Sequence, residues 1–216
     1  MKNSKCDRKI KAILFDLDGV LINSFNFWFH LFNDTLEHFG HKRISIKVFR
    51  QQWGKSTEED IKNFMPERTV REIKSYFYSW MHKFTNYLKI NPDAKMVLHR
   101  LSNNYKLGCV SNSHTKIMRW QIESSGLKKY FRVILSADKV KRPKPAPDML
   151  LKACGKLKAL SCETIFVGDT TTDLIAGKNA GCIVIGYKIK SILQINHLKE
   201  FLNAIKNLKQ RRKNES

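Results

Sequence analysis

The stretch Lys11-Ala12-Ile13-Leu14-Phe15-Asp16-Leu17-Asp18-Gly19-Val20 decides the fold of this chain. It begins as an apolar run without polar alternation, which is typical of a strand buried on both faces of a parallel sheet. It ends in the carboxylates Asp16 and Asp18 and then in Gly19, which permits a sharp turn out of the strand. Ligands of open α/β sheets lie beyond the carboxyl ends of the strands, so both carboxylates are predicted at a functional edge. A turn that merely ends the strand is the alternative.

The rest of the chain divides into a helical part and an alternating part. Residues 24–90 carry apolar residues at helical spacing without a strand pattern, which predicts an all-helical segment. From residue 91 onward, helices alternate with short apolar strands, which predicts βαβ units with right-handed crossovers. The sequence therefore predicts an α/β protein with a Rossmann-like parallel sheet and helices on both faces. Residues 1–23 and 91–216 would form this core, and residues 24–90 would be an inserted all-helical domain.

The composition is that of a globular protein without a membrane segment. The chain has 216 residues, of which 42% are hydrophobic, enough for one core plus a sizeable insertion. No apolar run approaches the roughly 20 residues that span a membrane, and the polar start of the chain is unlike a signal peptide. The five cysteines are widely spaced, which argues against a disulfide framework or a zinc site and favours a cytoplasmic location.

The charge of the chain is strongly positive, with 40 Lys and Arg against 19 Asp and Glu and a formal net charge of +21. A nucleic-acid partner is one interpretation, because phosphate contacts are made by Lys and Arg. A lysine-rich solvated surface that attracts small anionic substrates is the other, and we favour it because residues 206–213 alone form a dense basic cluster.

Further polar side chains are predicted at the same edge of the sheet as the first two carboxylates. The strand ends and following loops supply Ser111, Asn112, Lys144, Asp169 and Asp173. Several carboxylates at one edge repel one another unless a cation neutralises them. Oxygen ligands favour Mg²⁺, which binds carboxylates, water and substrate phosphate. A hydroxyl, an amide and a lysine beside such an ion would suit a phosphoryl group.

With these motifs the chain resembles the haloacid dehalogenase superfamily of hydrolases. The resemblance is to the branch with a helical cap inserted after the first motif, and within it to phosphoglycolate phosphatases and β-phosphoglucomutases. The four motifs, in order along the chain, are Asp16-Leu17-Asp18-Gly19-Val20, Val110-Ser111-Asn112-Ser113, Lys144-Pro145-Ala146-Pro147-Asp148 and Gly168-Asp169-Thr170-Thr171-Thr172-Asp173. The likeness spans the whole core, whereas residues 24–90 match only in length and helicity.

The resemblance implies a role for each of these residues. Asp16 would be the nucleophile that takes the phosphoryl group, and Asp18 would protonate the leaving oxygen and then activate water. The metal ligands would be Asp16, the backbone carbonyl of Asp18, and Asp169, with Asp173 supporting them. The phosphate oxygens would be held by Ser111, Asn112 and Lys144.

The implied function is a Mg²⁺-dependent phosphatase acting on a small phosphorylated metabolite. A phosphomutase of the same fold is one alternative, and a basic nucleic-acid-binding protein on this fold is an alternative of another class. Among single residues, Ser111 and Asn112 could instead cap the next helix, and Asp173 could be an ordinary carboxylate at a helix N-terminus. No motif in residues 24–90 identifies the leaving group, and the sequence leaves the oligomeric state open.

Overall fold

The computed structural model describes the backbone of residues 9–214 and the side chains of residues 9–210. The polar start of the chain, and the part of the basic cluster beyond residue 210, lie outside the described side chains. The strands are β1 Ala12–Asp16, β2 Ile22–Asn23, β3 Lys89–Ile90, β4 Lys106–Ser111, β5 Val133–Ser136, β6 Thr164–Gly168, β7 Ile183–Tyr187 and β8 Gln194–Ile195. The α-helices are α1 Phe25–His38, α2 Ile46–Gln52, α3 Thr57–Phe64, α4 Val70–Trp80, α5 Ala94–Ser102, α6 Thr115–Ser124, α7 Asp148–Leu157, α8 Thr171–Ala180 and α9 Phe201–Asn214.

The main sheet has six parallel strands in the order β5-β4-β1-β6-β7-β8. The opening apolar run forms the inner strand β1, in which Ala12 pairs with Lys106 of β4 and with Thr164 of β6. All five residues of β1 are buried. The predicted α/β class, with a Rossmann-like parallel sheet, is therefore confirmed.

Apolar side chains cover both faces of this sheet. Ile13 and Phe15 belong to a core cluster that includes residues of α5, α6 and α9. Leu14, the residue between them, belongs to a second cluster with residues of α7 and α8. Successive side chains of a strand point to opposite faces, so an unbroken apolar run is what a strand between two helical layers requires.

The helical insertion leaves and rejoins the core through a short antiparallel pair. Ile22 of β2 pairs with Ile90 of β3, so the two ends of the insertion lie side by side. Between them lie α1 to α4 and a 3-10 segment, Met81–Tyr87. These helices enclose a cluster of their own, which also receives Ile117 from α6. The boundaries of the two domains stay a prediction.

Two local features differ from the sequence-based expectations. The helical spacing of apolar residues from Val70 to Tyr87 predicts one continuous helix, but α4 ends at Trp80 and continues as the 3-10 segment. The next helix was expected to start with a proline after Asn91, but α5 starts at Ala94. Asn91 instead donates to the backbone carbonyl of Val20 and to the Tyr187 hydroxyl, at 2.8 and 3.0 Å. Its side chain thus joins the end of the insertion to the core.

The state of the cysteines differs in part from what their spacing predicts. Cys109, Cys154 and Cys182 are free thiols, whereas Cys162 is disulfide-bonded, a pairing that the sequence did not predict.

Among residues 9–214, no helix has both the length and the apolar character needed to cross a bilayer.

Candidate active site

Three neighbouring strands bring the predicted residues to one edge of the sheet. Asp16 is the last residue of β1, Ser111 is the last residue of β4, and Asp169 follows directly after β6. Because these strands are parallel and adjacent, their carboxyl ends meet. The backbone allows this close approach through Gly19, where a Cβ atom would lie 2.0 Å from Asp169 Oδ2.

Lys144 is the buried cation of the site. Its Nζ donates to Asp16 Oδ1 at 2.7 Å and to Asp173 Oδ1 at 2.6 Å, and its side chain is 3% exposed. Burial works against the ammonium group, but the two carboxylates outweigh it and raise the pKa of Lys144 above its ordinary value. Lys144 is therefore charged, and it holds Asp16 and Asp173 together.

The carboxylates of Asp16, Asp169 and Asp173 offer oxygen atoms that all lie within 4.8 Å of one another. Lys144 supplies one positive charge to this group. Asp169 Oδ1 is buried and has no hydrogen-bond donor among the described residues. Burial, reinforced by Asp173, raises the pKa of Asp169 to about 7. A surplus of buried negative charge with an unpaired oxygen fits a divalent cation bound by hard oxygen ligands.

Asp173 serves two structural purposes at once. Its Oδ1 accepts from Lys144, while its Oδ2 accepts from the Thr170 hydroxyl at 2.6 Å and from the Thr170 backbone N–H at 3.1 Å. Thr170 in turn accepts from the Asp173 backbone, which completes a capping box at the start of α8. The helix-terminal interpretation of Asp173 is thus correct, and the same residue also lies in the carboxylate cluster.

The carboxylate of Asp18 is held by hydrogen bonds from both the core and the helical insertion. It accepts five hydrogen bonds: from Ser24 at 2.6 Å, Trp28 at 3.0 Å, Ser111 at 2.9 Å, Ser113 at 2.7 Å and Gln121 at 3.2 Å. Ser24 lies at the N-terminus of α1, a position where serine commonly caps a helix, but its hydroxyl donates to Asp18 instead. The structure therefore fixes the predicted acid and base with donors from both the core and the insertion.

Sequence reasoning missed most of these donors to Asp18. From the sequence pattern alone, Ser113 is typical of a helix cap and Trp28 of an apolar helical stripe. Gln121 lies 103 residues after Asp18 and carries no local motif. Trp28 and Ser24, four residues apart, do share one face of a helix, which is the signal that could have identified them.

Asn112 positions the loops around the site. Its amide nitrogen donates to the carbonyls of Lys144 at 2.9 Å and of Gly54 at 3.0 Å, and its side-chain oxygen accepts from the Lys144 backbone N–H at 3.0 Å. It therefore fixes the Lys144 loop against the loop between α2 and α3. Ser111, Asn112 and Lys144 line the same cavity, but the side chains of Ser111 and Asn112 already have protein partners.

The loop between α2 and α3 reaches into the site. The Trp53 indole N–H donates to Asp169 Oδ2 at 3.2 Å. Gly54 has φ +90°, and a Cβ atom there would lie 2.8 Å from Thr170. Lys55 lines the site, as one sequence interpretation held, whereas Ser56 caps α3 by accepting from the backbone of Glu59. Glycine at position 54 is what lets this loop pack against the core.

A single cavity joins the two parts of the protein at this point. From the core it is lined by Asp16, Asp18, Ser111, Asn112, Ser113, Lys144, Thr170 and Asp173. From the insertion it is lined by Trp28, Phe32, Phe49, Gln52, Trp53, Gly54, Lys55, Thr57, Asp60 and Phe77. The core half presents three carboxylates and Lys144, and the other half presents five aromatic side chains beside polar ones.

The chain is similar to proteins of one family over most of its length. Residues 13–187 match the family model of haloacid dehalogenase-like hydrolases. The pyrophosphatase PpaX of Halalkalibacterium halodurans is 30% identical over 188 residues, covering 84% of this chain and 86% of that protein.

Solved structures share the fold. A subfamily IA hydrolase of the haloacid dehalogenase superfamily from Geobacter sulfurreducens has a TM-score of 0.75 at 24% identity, covering 90% of this chain and 99% of that one. A β-phosphoglucomutase from Clostridium difficile has a TM-score of 0.75 at 21% identity, covering 92% and 97%. These two likenesses concern the fold alone.

Proposed function

This chain belongs to the haloacid dehalogenase-like hydrolases and is a phosphatase of that family, and on this premise we propose its substrate class and mechanism. It hydrolyses a small phosphate monoester through an aspartyl-phosphate intermediate, with Mg²⁺ as its cofactor. The observation that carries the proposal is Lys144, buried between Asp16 and Asp173 at the edge where Asp169 also lies. This arrangement leaves Asp16 at the end of strand β1, where it lines the cavity between the core and the insertion.

Asp16 and Asp169, with the backbone carbonyl of Asp18, are the residues that would hold the metal ion, and Asp173 would support them. The unpaired Asp169 Oδ1 and the excess of carboxylates over Lys144 support this assignment. When bound, a divalent cation neutralises charge on the phosphoryl oxygens and thereby lowers the barrier to attack.

The side chains of this protein then account for both halves of the reaction. Asp16 forms a bond to phosphorus while the bond to the leaving oxygen breaks, and Asp18 gives that oxygen a proton. Asp18 next takes a proton from water, which attacks phosphorus and releases Asp16 and inorganic phosphate. Lys144 and Ser111 are the proposed partners of the phosphoryl oxygens, and Asn112 adds to them while placing the Lys144 loop.

Pyrophosphate hydrolysis is the second candidate activity, because the relative from Halalkalibacterium halodurans is named a pyrophosphatase. The phosphomutase alternative would use the same Asp16 and Asp18 but return the phosphoryl group to a sugar. The nucleic-acid alternative would not need the cavity at all.

The test is phosphate release from a panel of phosphate monoesters, pyrophosphate and a sugar phosphate, with Mg²⁺ and with EDTA. We expect Mg²⁺-dependent release from at least one monoester, and no release by the Asp16→Asn variant under the same conditions. Release that persists in EDTA, or in the Asp16→Asn variant, would contradict the proposed mechanism. Conversion of the sugar phosphate to an isomer without phosphate release would instead support the mutase.

A further inference from the structure

Asp60 is a partly buried acid of the cavity that the phosphatase chemistry does not use. It lies in the first turns of α3 and lines the same cavity as Asp16 and Lys144. Its Oδ1 is withdrawn from solvent and has no hydrogen-bond donor among the described residues. A buried carboxylate oxygen without a donor is costly, typically by about 1–3 kcal/mol or more for a charged group. Such a group in a native protein calls for a partner that supplies the missing donor.

The wall of the cavity opposite the catalytic edge is rich in aromatic residues. It includes Trp28, Phe32, Phe49, Trp53 and Phe77. Trp53 packs against Phe49, with ring centroids 6.3 Å apart, and Trp28 packs edge-on against Phe77 at 5.8 Å. Aromatic surfaces of this kind cover hydrocarbon and attract organic cations through their π faces.

The positive charges of the cavity already have partners. Among the described residues that line it, the cations are Lys144 and Lys55. Lys144 bridges two carboxylates, and Lys55 donates to Gln52 at 2.9 Å and lies 3.8 Å from Glu59. A negatively charged leaving group, such as the second phosphate of pyrophosphate, would therefore lie beside Asp60. Neither of these two lysines would be free to neutralise its charge.

Building on the proposed phosphatase function, we infer that the substrate is the phosphate monoester of an organic amino alcohol. Asp60 accepts hydrogen bonds from the ammonium group of the leaving alcohol, and the aromatic walls cover its carbon chain. The ammonium supplies both the missing donor and the missing charge, whereas a hydroxyl supplies only a donor. The same carboxylate disfavours pyrophosphate, because two negative groups would be buried side by side.

Matched pairs of substrates test this inference. Aminoalkyl phosphates with two to four carbons are compared, by kcat/KM with Mg²⁺, with n-alkyl phosphates in which a methyl group replaces the ammonium. We expect the amine to be preferred at least tenfold at one or more chain lengths, and pyrophosphate to be a poorer substrate than either. In the Asp60→Asn variant this preference should fall at least tenfold. Glu59→Gln is the control, since it removes a neighbouring but exposed carboxylate and should keep the preference.

Thermal stabilisation by ligands provides a second readout that needs no turnover. Aminoalkyl phosphonates should raise the melting temperature of the wild-type protein, in Mg²⁺, more than alkyl phosphonates of the same length. In Asp60→Asn the two ligands should act alike, and the melting curve without ligand shows that the variant is folded. Equal effects on the wild type, or a preference for pyrophosphate, would overturn the inference. Hydrolysis of alkyl phosphates without an amine preference would refute this inference alone, whereas failure to hydrolyse any ester would refute the proposed function.

Discussion

Replacing Asp60 by asparagine should stabilise the protein at high pH. Burial, reinforced by the nearby carboxylates of Glu59 and Glu58, raises the pKa of Asp60 from 3.8 to about 7, against the opposing effect of Lys55. The folded state then binds a proton more tightly than the unfolded state does. The free energy of unfolding therefore falls as pH rises from about 4 to about 7, and it levels off above that range.

The size of the effect follows from the same two pKa values. At 1.36 kcal/mol for each pH unit between them, ionisation of Asp60 costs the folded wild type about 4 kcal/mol at pH 8. Because the asparagine amide is itself left without a partner, we expect Asp60→Asn to be more stable by about 2–4 kcal/mol at pH 8. At pH 5 the difference between the two proteins should be smaller than at pH 8 by about 2.5 kcal/mol.

Urea unfolding followed by tryptophan fluorescence measures this difference at both pH values. Trp28 and Trp53 line the cavity beside Asp60, so the signal reports on the relevant region. Glu37→Gln serves as the control, because Glu37 is exposed and is not among the charges that shift the pKa of Asp60, so its replacement should leave little pH dependence in the difference from wild type. A stability difference of the same size at pH 5 and pH 8, or a variant less stable than wild type at pH 8, would refute the reasoning.

Three further outcomes are expected. Asp16→Asn should reduce phosphate release below a few per cent while leaving the fold intact, because an amide has nearly the shape of the carboxylate but is a poor nucleophile; a normal melt beside residual turnover would contradict the assignment. Mg²⁺ should be required and Ca²⁺ should inhibit, since Ca²⁺ accepts more ligands at longer distances, and activity that survives EDTA would count against the metal. Asn112→Ala should lower the free energy of unfolding by about 1–3 kcal/mol, because it leaves the buried Lys144 backbone N–H and the Gly54 carbonyl without partners. Urea unfolding at pH 7 measures this change, and an unchanged free energy of unfolding would contradict the prediction.

The core domain could be predicted from the sequence because apolar runs and strand-end motifs are local patterns. The run from Ala12 to Asp16 is buried on both faces, and adjacent parallel strands must bring their carboxyl ends together. Asp16, Lys144 and Asp169 could therefore be placed at one edge before any contact was known. Their predicted roles in catalysis and metal binding stay predictions.

The environment of individual side chains could not be read from pattern in the same way. Asp60 belongs to the run Thr57-Glu58-Glu59-Asp60, in which every carboxylate suits the start of a helix equally well. Glu58 and Glu59 are exposed, whereas Asp60 faces the cavity, and this difference depends on where α3 lies relative to the core. Most donors to Asp18 likewise come from distant elements, so no local spacing in the sequence predicts them.

The place of β1 in the sheet also determines the order in which the protein can assemble during synthesis. β1 leaves the ribosome first, but Ala12 must pair with Lys106 and Thr164, about 90 and 150 residues later. At about 5–20 residues per second, the apolar run waits roughly 5–20 s for β4, and longer for β6. The helices between β2 and β3 make contacts that are short in sequence and can form within that interval. The insertion can thus fold while the strand that carries Asp16 is still unpaired, which makes this strand the segment most exposed to aggregation before the chain is complete.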